Sequence, residues 1–538
     1  MQPGRRFLAA VLLGGLQAGA LNFPPDWGWA AALLQALSLS GLVAVLNQAA
    51  AQRSPELGPS PWLGQGLALG WAFATTWLAG TFWWLFISMH RYGGLSAPLA
   101  ALAVLALAAA LSFYYGLAAA FYVRWRTLGP SPMGWAAGVF AAAWTLAELA
   151  RGSWFTGFPW GAGGYAQVAG LAPALAPWVG VYGVGAVVAL GAAALASAGR
   201  AVKQVGVALC CLVGAGVYWG TAGGLTAPLE ARASSSLSRP LSVALLQGNI
   251  PQDQKFEAGS GVAQALAWYR EQIETIPPGT AGTPELVITP ETAIPWLPQD
   301  LPSGYWARLT TLRPDQAVLL GLPFGDAQNG YRNSVLGLRG GPTAEAPLYR
   351  YDKHHLVPFG EFIPTGFRWF TDLLHIPMGD FQRGGLAQPS FAWQGQRLAP
   401  MICYEDLFGE EMGARFRDPR QAPTVLVNMS NLAWFGDSTA AAQHLQISRL
   451  RALEFARPVV RATNTGATAV IDAQGRVTHA LPPFSRGVLR AEVQGGEGQT
   501  PYAWWVSRWG LQPLAALAVL IALAAHWRQR RHLHRTRA

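Results

Sequence analysis

Three residue types whose combination suits acyl transfer lie in the second half of this 538-residue chain, each at the end of a probable strand. "LVITPETAIPW" puts Glu291 after a β-rich run. "PLYRYDKHHLVPFGEFIP" puts Lys353 in a polar turn, with Glu361 shortly beyond it, and "LAPMICYEDLF" ends an apolar run on Cys403. A carboxylate can take a thiol proton, the thiolate can attack a carbonyl, and an ammonium can hold the developing oxyanion. Each residue also has a plainer reading. A lone cysteine is commonly a small core residue; Glu291 could be a loop carboxylate and Glu361 a salt-bridge partner. Lys353 is harder to dismiss. The chain has 35 arginines and three lysines, so arginine is its default cation, and a lysine here indicates a need for a compact ammonium instead of a planar guanidinium. His354 and His355 adjoin it without Cys-x-x-Cys or His-x-x-x-His spacing, so no metal is expected.

Residues far apart in sequence meet only if strand ends bring them together. The strand candidates are "LSVALLQGN", "ELVITP", "QAVLLGLPF", "NSVLGLR", "LAPMICY", "TVLVNMSN", "VVRATNTG" and "TAVIDAQG". Helical patterns such as "GVAQALAWYREQIETI" and "AAAQHLQISRLRALEFA" separate some of them. Strands alternating with helices predict an α/β fold, in which polar functional groups collect past the strand ends.

The rest of the chain is of another kind. Hydrophobic residues make up 51% and charged residues 12%, a membrane composition. The net charge of +10 is concentrated beside apolar segments and in the tail "RQRRHLHRTRA", while residues 240–500 are close to balanced. That distribution is one of membrane topology and excludes nucleic-acid binding. Apolar stretches of about the length that crosses a bilayer fall at 7–22, 27–47, 62–88, 95–123, 134–150, 171–198, 204–221 and 509–527. Arg5, Arg6, Arg53, Arg124, Arg126, Arg200, Lys203 and the tail arginines mark the cytoplasmic side. Both ends are then inside and the mixed-polarity insert is outside. A cleaved signal peptide over residues 1–20, ending near "QAGA", would leave seven crossings with the insert on the same side. Extracytoplasmic thiols normally pair, yet Cys403 is alone in its domain, since Cys210 and Cys211 lie in an apolar segment.

The motifs "PETAIP", "YDKHHLVPFGEFIP" and "ICYED" resemble the Glu-Lys-Cys triad of the nitrilase, or carbon-nitrogen hydrolase, superfamily. Together with "NLAWFGDS", "QHLQISRLRALEFARPVVRATNTGATAVID", "ISMHRYGG" and "ELARGSWFTGFPWG", they resemble its membrane-embedded branch, apolipoprotein N-acyltransferase. The resemblance implies a multi-pass α-helical membrane protein of about eight transmembrane helices with an inserted α/β nitrilase-like αββα sandwich. The expected division is a membrane region at 1–222, a linker at 223–240, a catalytic domain at 241–495, a return stem and last helix at 496–527, and a basic tail at 528–538. One departure is Leu432, where many relatives would carry an acidic residue.

The resemblance further implies an inner-membrane enzyme with its catalytic domain on the periplasmic face. It would move an acyl chain from a glycerophospholipid, through a thioester on Cys403, to the α-amino group of a diacylglyceryl-cysteine on apolipoproteins. Glu291 would be the base, Lys353 the oxyanion stabiliser and Cys403 the nucleophile, with Glu361, Tyr404 and Glu405 in support. No cofactor is needed, and the protein is expected to act as a monomer at the lipid bilayer. The apolar stretch 365–381, with Trp369 and Phe370, reads either as a core helix or as a mobile arm touching lipid. Trp296, Trp434 and Phe435 are candidates for the same apolar entrance. Two other classes stay in view: a membrane-tethered nitrilase-like amidase, and a transporter or lipid-binding module. The second is disfavoured because the clear intramembrane charges, Glu148 and Arg151, lie close enough in sequence to pair with each other.

Overall fold

A computed structural model describes residues 2–24, 27–52, 60–128, 133–198, 240–279, 285–341, 348–364, 366 and 380–537. The predicted seventh span at 204–221, the linker, and most of the 365–381 stretch, including Trp369 and Phe370, lie outside the described residues. The chain forms two compact units. One comprises Met1–Phe86, Ala97–Ala227 and Trp509–Ala538; the other comprises Ile87–Ser96 and Pro228–Arg508.

The first unit is helical: α1 (Pro3–Asn22), α2 (Gly28–Ala51), α3 (Ser60–Thr81), α4 (Ala97–Arg126), α5 (Met133–Ser153), α6 (Ala172–Ser197) and a C-terminal helix, Gln512–Arg537. Lipid removes the hydrophobic drive between helices, so close association rests on small residues. At the α3–α4 contact, a Cβ on Gly66 would lie 2.8 Å from the Ala120 Cα, and one on Gly70 would lie 2.7 Å from the Tyr115 carbonyl oxygen.

Three described helices, α2, α4 and α6, are long and apolar enough to cross a membrane. The pairs Gly64–Thr81 with Leu85–Tyr92 and Pro501–Trp509 with Gln512–Arg531, each bent at a short break, raise this to five. The expected eight are therefore not all present among the described residues. Helices α1 and α5 form as expected but are not among these spans; Arg5, Arg6 and Gln17 in α1, and Glu148 and Arg151 in α5, lower their hydropathy.

Glu148 and Arg151 are both buried, and each finds its own partners. The Arg151 guanidinium donates to Tyr115 Oη (2.8 Å) and to the carbonyl oxygens of Phe158 (2.5 Å) and Trp160 (2.8 Å). Glu148 Oε1 accepts from the Gly163 N–H at 3.0 Å. The mutual pair that their spacing suggests is replaced by bonds to main-chain groups in the connection after α5, two loop carbonyls and the first N–H of the turn Gly163–Gln167.

The second unit holds two six-stranded sheets. The first has β1 (Leu241–Gln247), β2 (Glu285–Ile288), β3 (Gln316–Asp326), β4 (Gly330–Arg339), β5 (Tyr349–Asp352) and β12 (Gly487–Val493), in the order β12-β1-β2-β3-β4-β5. The second has β6 (Phe391–Trp393), β7 (Gln396–Ile402), β8 (Val425–Ser430), β9 (Val459–Thr463), β10 (Ala469–Ile471) and β11 (Val477–Ala480), in the order β11-β10-β9-β8-β7-β6. Each sheet has a parallel centre, β1-β2-β3 or β7-β8-β9, flanked by antiparallel strands.

The near-continuous apolar runs of the central strands reflect burial on both faces. Along β1, Leu241, Val243 and Leu245 point into the core shared by the two sheets, while Ala244 and Leu246 face helices α7 (Ala263–Thr275) and α8 (Tyr305–Thr310). Along β7, Leu398 and Ile402 enter the shared core. Ala399 and Met401 face the opposite helical layer, where α9 (Gly409–Gly413), α10 (Thr439–Phe455) and α11 (Pro501–Trp509) pack. The period of two thus builds a helix-sheet-sheet-helix sandwich. Fully burying one Val, Leu or Ile is worth about 1.5–3 kcal/mol, so this core fixes the ends of β2, β5 and β7 against one another.

Candidate active site

The turn after β2, the turn after β5 and the end of β7 converge. Cys403 follows Ile402, the last residue of β7, and opens a short 3₁₀ turn, Cys403–Leu407. It is the free cysteine of this unit and only part-exposed. Its φ of 53° lies in the left-handed region, which is costly for a residue with a Cβ. Such geometry persists only where surrounding contacts enforce it.

Glu405 supplies those contacts. Its Oε2 accepts from the Ile402 N–H at 2.6 Å, and its Oε1 accepts from the His354 N–H (2.7 Å) and the His355 N–H (3.2 Å). Tyr351 Oη donates to both oxygens at 2.8 Å. One buried carboxylate therefore ties the Cys403 turn to the end of β5, where Lys353 sits. The Tyr404 ring packs in an aromatic cluster with His355 (5.6 Å) and Phe408 (5.2 Å).

Lys353 is 1% exposed. Its Nζ donates to Glu361 Oε1 at 2.9 Å and to Glu291 Oε1 at 3.2 Å. Asn333 Nδ2, on β4, donates to the same two oxygens, both at 2.8 Å. Glu361 Oε2 also accepts from the Val357 N–H at 2.8 Å, and Glu291 Oε2 accepts from the Asn431 N–H at 3.0 Å. Glu291, Lys353, Glu361 and Cys403, chosen from sequence, thus lie in one buried cluster, with Glu405 bracing it.

Burial opposes ionisation of Glu291, but Lys353, Lys255 and the Asn333 amide outweigh it and hold the carboxyl below its ordinary range. Lys353 shows the reverse balance: burial works against its charge, yet Glu291, Glu361 and Cys403 raise its pKa above the usual lysine value. The Cys403 thiol is pushed well up by burial and by the Glu291 charge, with Lys353 acting in the other direction. At rest the site is a thiol beside an ionised carboxylate and an ammonium. Among the described residues no cluster of three or more His, Cys, Asp and Glu side chains could hold a metal ion. His355 Nδ1 lies 2.9 Å from Glu411, and His354 Nδ1 lies 2.8 Å from the Gly384 carbonyl.

Residues 17–194 match the family model for the apolipoprotein N-acyltransferase N-terminal domain, and residues 242–502 match that for carbon-nitrogen hydrolase. An apolipoprotein N-acyltransferase of Verminephrobacter eiseniae (strain EF01-2) is 56% identical over 442 residues, covering 80% of this chain and 80% of that protein. One from Ralstonia nicotianae (strain ATCC BAA-1114 / GMI1000) is 44% identical over 535 residues, covering 98% of this chain and 94% of that protein. The chain belongs to the apolipoprotein N-acyltransferase family.

In this member of the apolipoprotein N-acyltransferase family the expected entrance residues separate. Trp434 is 36% exposed, in the turn Ala433–Phe435, and meets the Tyr92 ring edge-on at 5.6 Å. Phe435 is half-buried beside it. Trp296 packs, partly buried, against the apolar cluster between the first sheet and helices α7 and α8. It lies only a few residues beyond Glu291 in the chain. Leu432 is 3% exposed, so an acidic residue at that position would be buried.

Four groups escaped the sequence reading. Lys255, in the turn after β1, donates from Nζ to the Glu291 carbonyl oxygen at 3.2 Å. The rarity of lysine that singled out Lys353 applies equally to it. Asn333 and Asn431 carried no such mark. Behind Cys403 lies a fully buried cluster of Asp406, His444, Ser448 and Arg461. His444 Nε2 is 2.9 Å from Asp406 Oδ1 and 3.2 Å from the Cys403 carbonyl oxygen, and its Nδ1 faces Arg461 at 2.9 Å.

Proposed function

We propose that this chain completes lipoprotein maturation by N-acylating apolipoproteins, with Cys403 as the group that carries the acyl chain. Membership of the family supports the reaction. The observation that carries the residue assignment is the buried cluster in which Lys353 Nζ lies 3.2 Å from Glu291 and 2.9 Å from Glu361 beside a lone thiol.

In the first half-reaction Glu291 takes the Cys403 proton as sulfur attacks an ester carbonyl of a glycerophospholipid. The tetrahedral oxyanion is held by Lys353 and by the Tyr404 main-chain N–H at the start of the 3₁₀ turn. Collapse breaks the ester C–O bond. The lysophospholipid oxygen leaves with the proton from Glu291, and a thioester remains on Cys403. In the second half-reaction the α-amino group of the diacylglyceryl-cysteine attacks the thioester, and Glu291 takes a proton from the nitrogen. Collapse then breaks the C–S bond, and the Cys403 thiolate recovers that proton from Glu291. Glu361 and Asn333 keep Lys353 and Glu291 in register throughout.

All of these side chains come from one chain, in keeping with a monomer. Eight crossings, cytoplasmic termini and a periplasmic catalytic unit in the inner membrane complete the proposal, supported by the placement of basic residues. Both substrates are lipid-anchored, so the site must work at the bilayer surface. The amidase reading is not favoured, because the matching full-length relatives carry the transferase name.

Incubation of the purified protein with a defined phospholipid should add one acyl chain to Cys403, read by intact mass. A diacylated lipopeptide should then discharge it as an N-acylated product. A protein that forms no adduct yet acylates the lipopeptide would overturn the two-step scheme.

A further inference from the structure

Glu291 and Glu361 are two carboxylates on one ammonium. Both accept from Lys353 Nζ and from Asn333 Nδ2, and both are 8% exposed. Like charges in such a position disfavour each other, so the pair calls for positive charge beside it. A protonated Glu291 could not serve as a base.

Lys255 changes the count. It is 3% exposed, and its Nζ lies 3.2 Å from the main-chain oxygen of Glu291 itself. The turn that carries it is anchored to the site by a second contact, from Asn431 Nδ2 to Gln252 Oε1 at 2.7 Å. Asn431 in turn donates its N–H to Glu291. Among the described residues the Lys255 ammonium has that single hydrogen bond, so it is a buried charge whose compensation comes from the site and not from an ion pair of its own.

We propose that Lys255 is a positioning residue for the acyl transfer, the second ammonium that keeps Glu291 ionised beside Glu361 and so ready to take the Cys403 proton. With it, two carboxylates face two ammoniums. Once the proton has moved to Glu291, the same charge faces the sulfur or the oxyanion, so the site never carries a net negative charge during attack. Burial lowers the Lys255 pKa to about 8 against the pull of Glu291 and Cys403, in keeping with a charge that depends on those two groups. The groups that face Glu291 are Lys353 from the end of β5, Lys255 from the turn after β1, Asn333 from β4 and Cys403 from the end of β7. Glu361 shares two of these partners, and Arg461 on β9 acts on Cys403 from behind.

The inference rests on the reading of Glu291 as base and Cys403 as nucleophile. Its test is the pH dependence of Cys403 acylation by phosphatidylethanolamine in mixed micelles, followed by intact mass on the full chain. Alkylation of the same thiol by iodoacetamide is followed in parallel. Lys255→Met should move the acidic limb of both profiles up by about one pH unit, a tenfold loss of rate on that limb. Lys255→Arg, which keeps the charge, should leave the limb near that of the parent protein. A Lys255→Met profile that slows uniformly, with its limb unmoved, would show a structural residue only and sink the inference. If the parent protein forms no acyl adduct, the catalytic reading fails first, while the alkylation profiles still report whether Lys255 acts on Glu291. Should Lys255→Met not accumulate, Lys255→Gln, which retains a donor to the Glu291 carbonyl, takes its place.

Discussion

At Cys403 the resting state and the reactive state are separated by one proton. Burial and the Glu291 charge disfavour a free thiolate, so in the proposed mechanism the proton leaves as the sulfur attacks. Cys403→Ala should abolish acyl-enzyme formation. Cys403→Ser should be nearly inactive, because a carboxylate held below its ordinary range is too weak a base for a hydroxyl. Lys353→Arg keeps the charge, but a planar fork does not fit a 1%-exposed ammonium held by Glu291 and Glu361. Acylation should fall about a hundredfold or more, the loss expected for one oxyanion donor at roughly 3 kcal/mol. Near-normal thioester formation in that variant would make Lys353 a structural cation. Glu291→Gln should block acylation as well. Because Glu291 is held below its ordinary range, the activity that needs its ionised form should persist on acidification past the usual carboxylate range. It should be lost only as the pH falls through the lowered value; a limb at or above the ordinary glutamate value would contradict this.

Between elements, single carboxylates do the joining. Glu405 receives main-chain donors from β7 and from the turn after β5, together with Tyr351 Oη. Glu405→Gln turns an amide donor toward groups that themselves donate. It should cost roughly 2–3 kcal/mol of stability, and activity should fall beyond what that destabilisation explains, because Cys403 and Lys353 lose their common brace. Thermal unfolding in detergent and single-turnover acylation separate the two effects. Asp406 does the same for the β7–α10–β9 junction. Burial opposes its charge, yet His444, Arg461 and Ser448 hold its carboxyl below the ordinary range. Its stabilising contribution is therefore fully present above the unfolded aspartate value and is lost as the pH falls through the lowered folded value. Asp406→Asn leaves the Arg461 charge buried without its partner, so about 3–5 kcal/mol should be lost. A melting temperature equal to that of the parent protein would refute this.

For the whole molecule, the expected topology places basic residues on one side of the membrane. Cysteine introduced at Arg53, or in the tail beyond Trp527, should be labelled only from the cytoplasmic side in intact cells. The unit that carries Glu291 should be reached from outside. Labelling of position 53 from outside would overturn the scheme. The helical unit has its own demand, since Arg151 is fixed by Tyr115 and by two carbonyls of the loop after α5. Arg151→Met should lower the yield of folded protein in the membrane by leaving those carbonyls unsatisfied, while the Cys403 chemistry of the surviving protein stays intact.

The sequence by itself determined the parts of this protein that depend on pattern. Apolar runs such as "LSVALLQ" and "LAPMI" became β1 and the body of β7, because a strand buried on both faces reads as a near-continuous apolar run. Glu291, Lys353 and Cys403 could be picked out as candidates because each follows a probable strand, and strand ends are where a sandwich presents polar groups. Tertiary structure alone decided what those residues touch. Asn333 sits mid-strand with nothing local to mark it, yet it bridges Glu291 and Glu361. Lys255 is separated from Glu291 by a whole helix, and only the pairing of β1 with β2 makes them neighbours. Trp296 carried no sign of its neighbours in the sequence, and the structure packs it, partly buried, against the core between the first sheet and its helices. Glu148 and Arg151 read as a pair from their spacing, but the loop after α5 brings two carbonyls to Arg151 and the Gly163 N–H to Glu148, and buried main-chain groups need such partners.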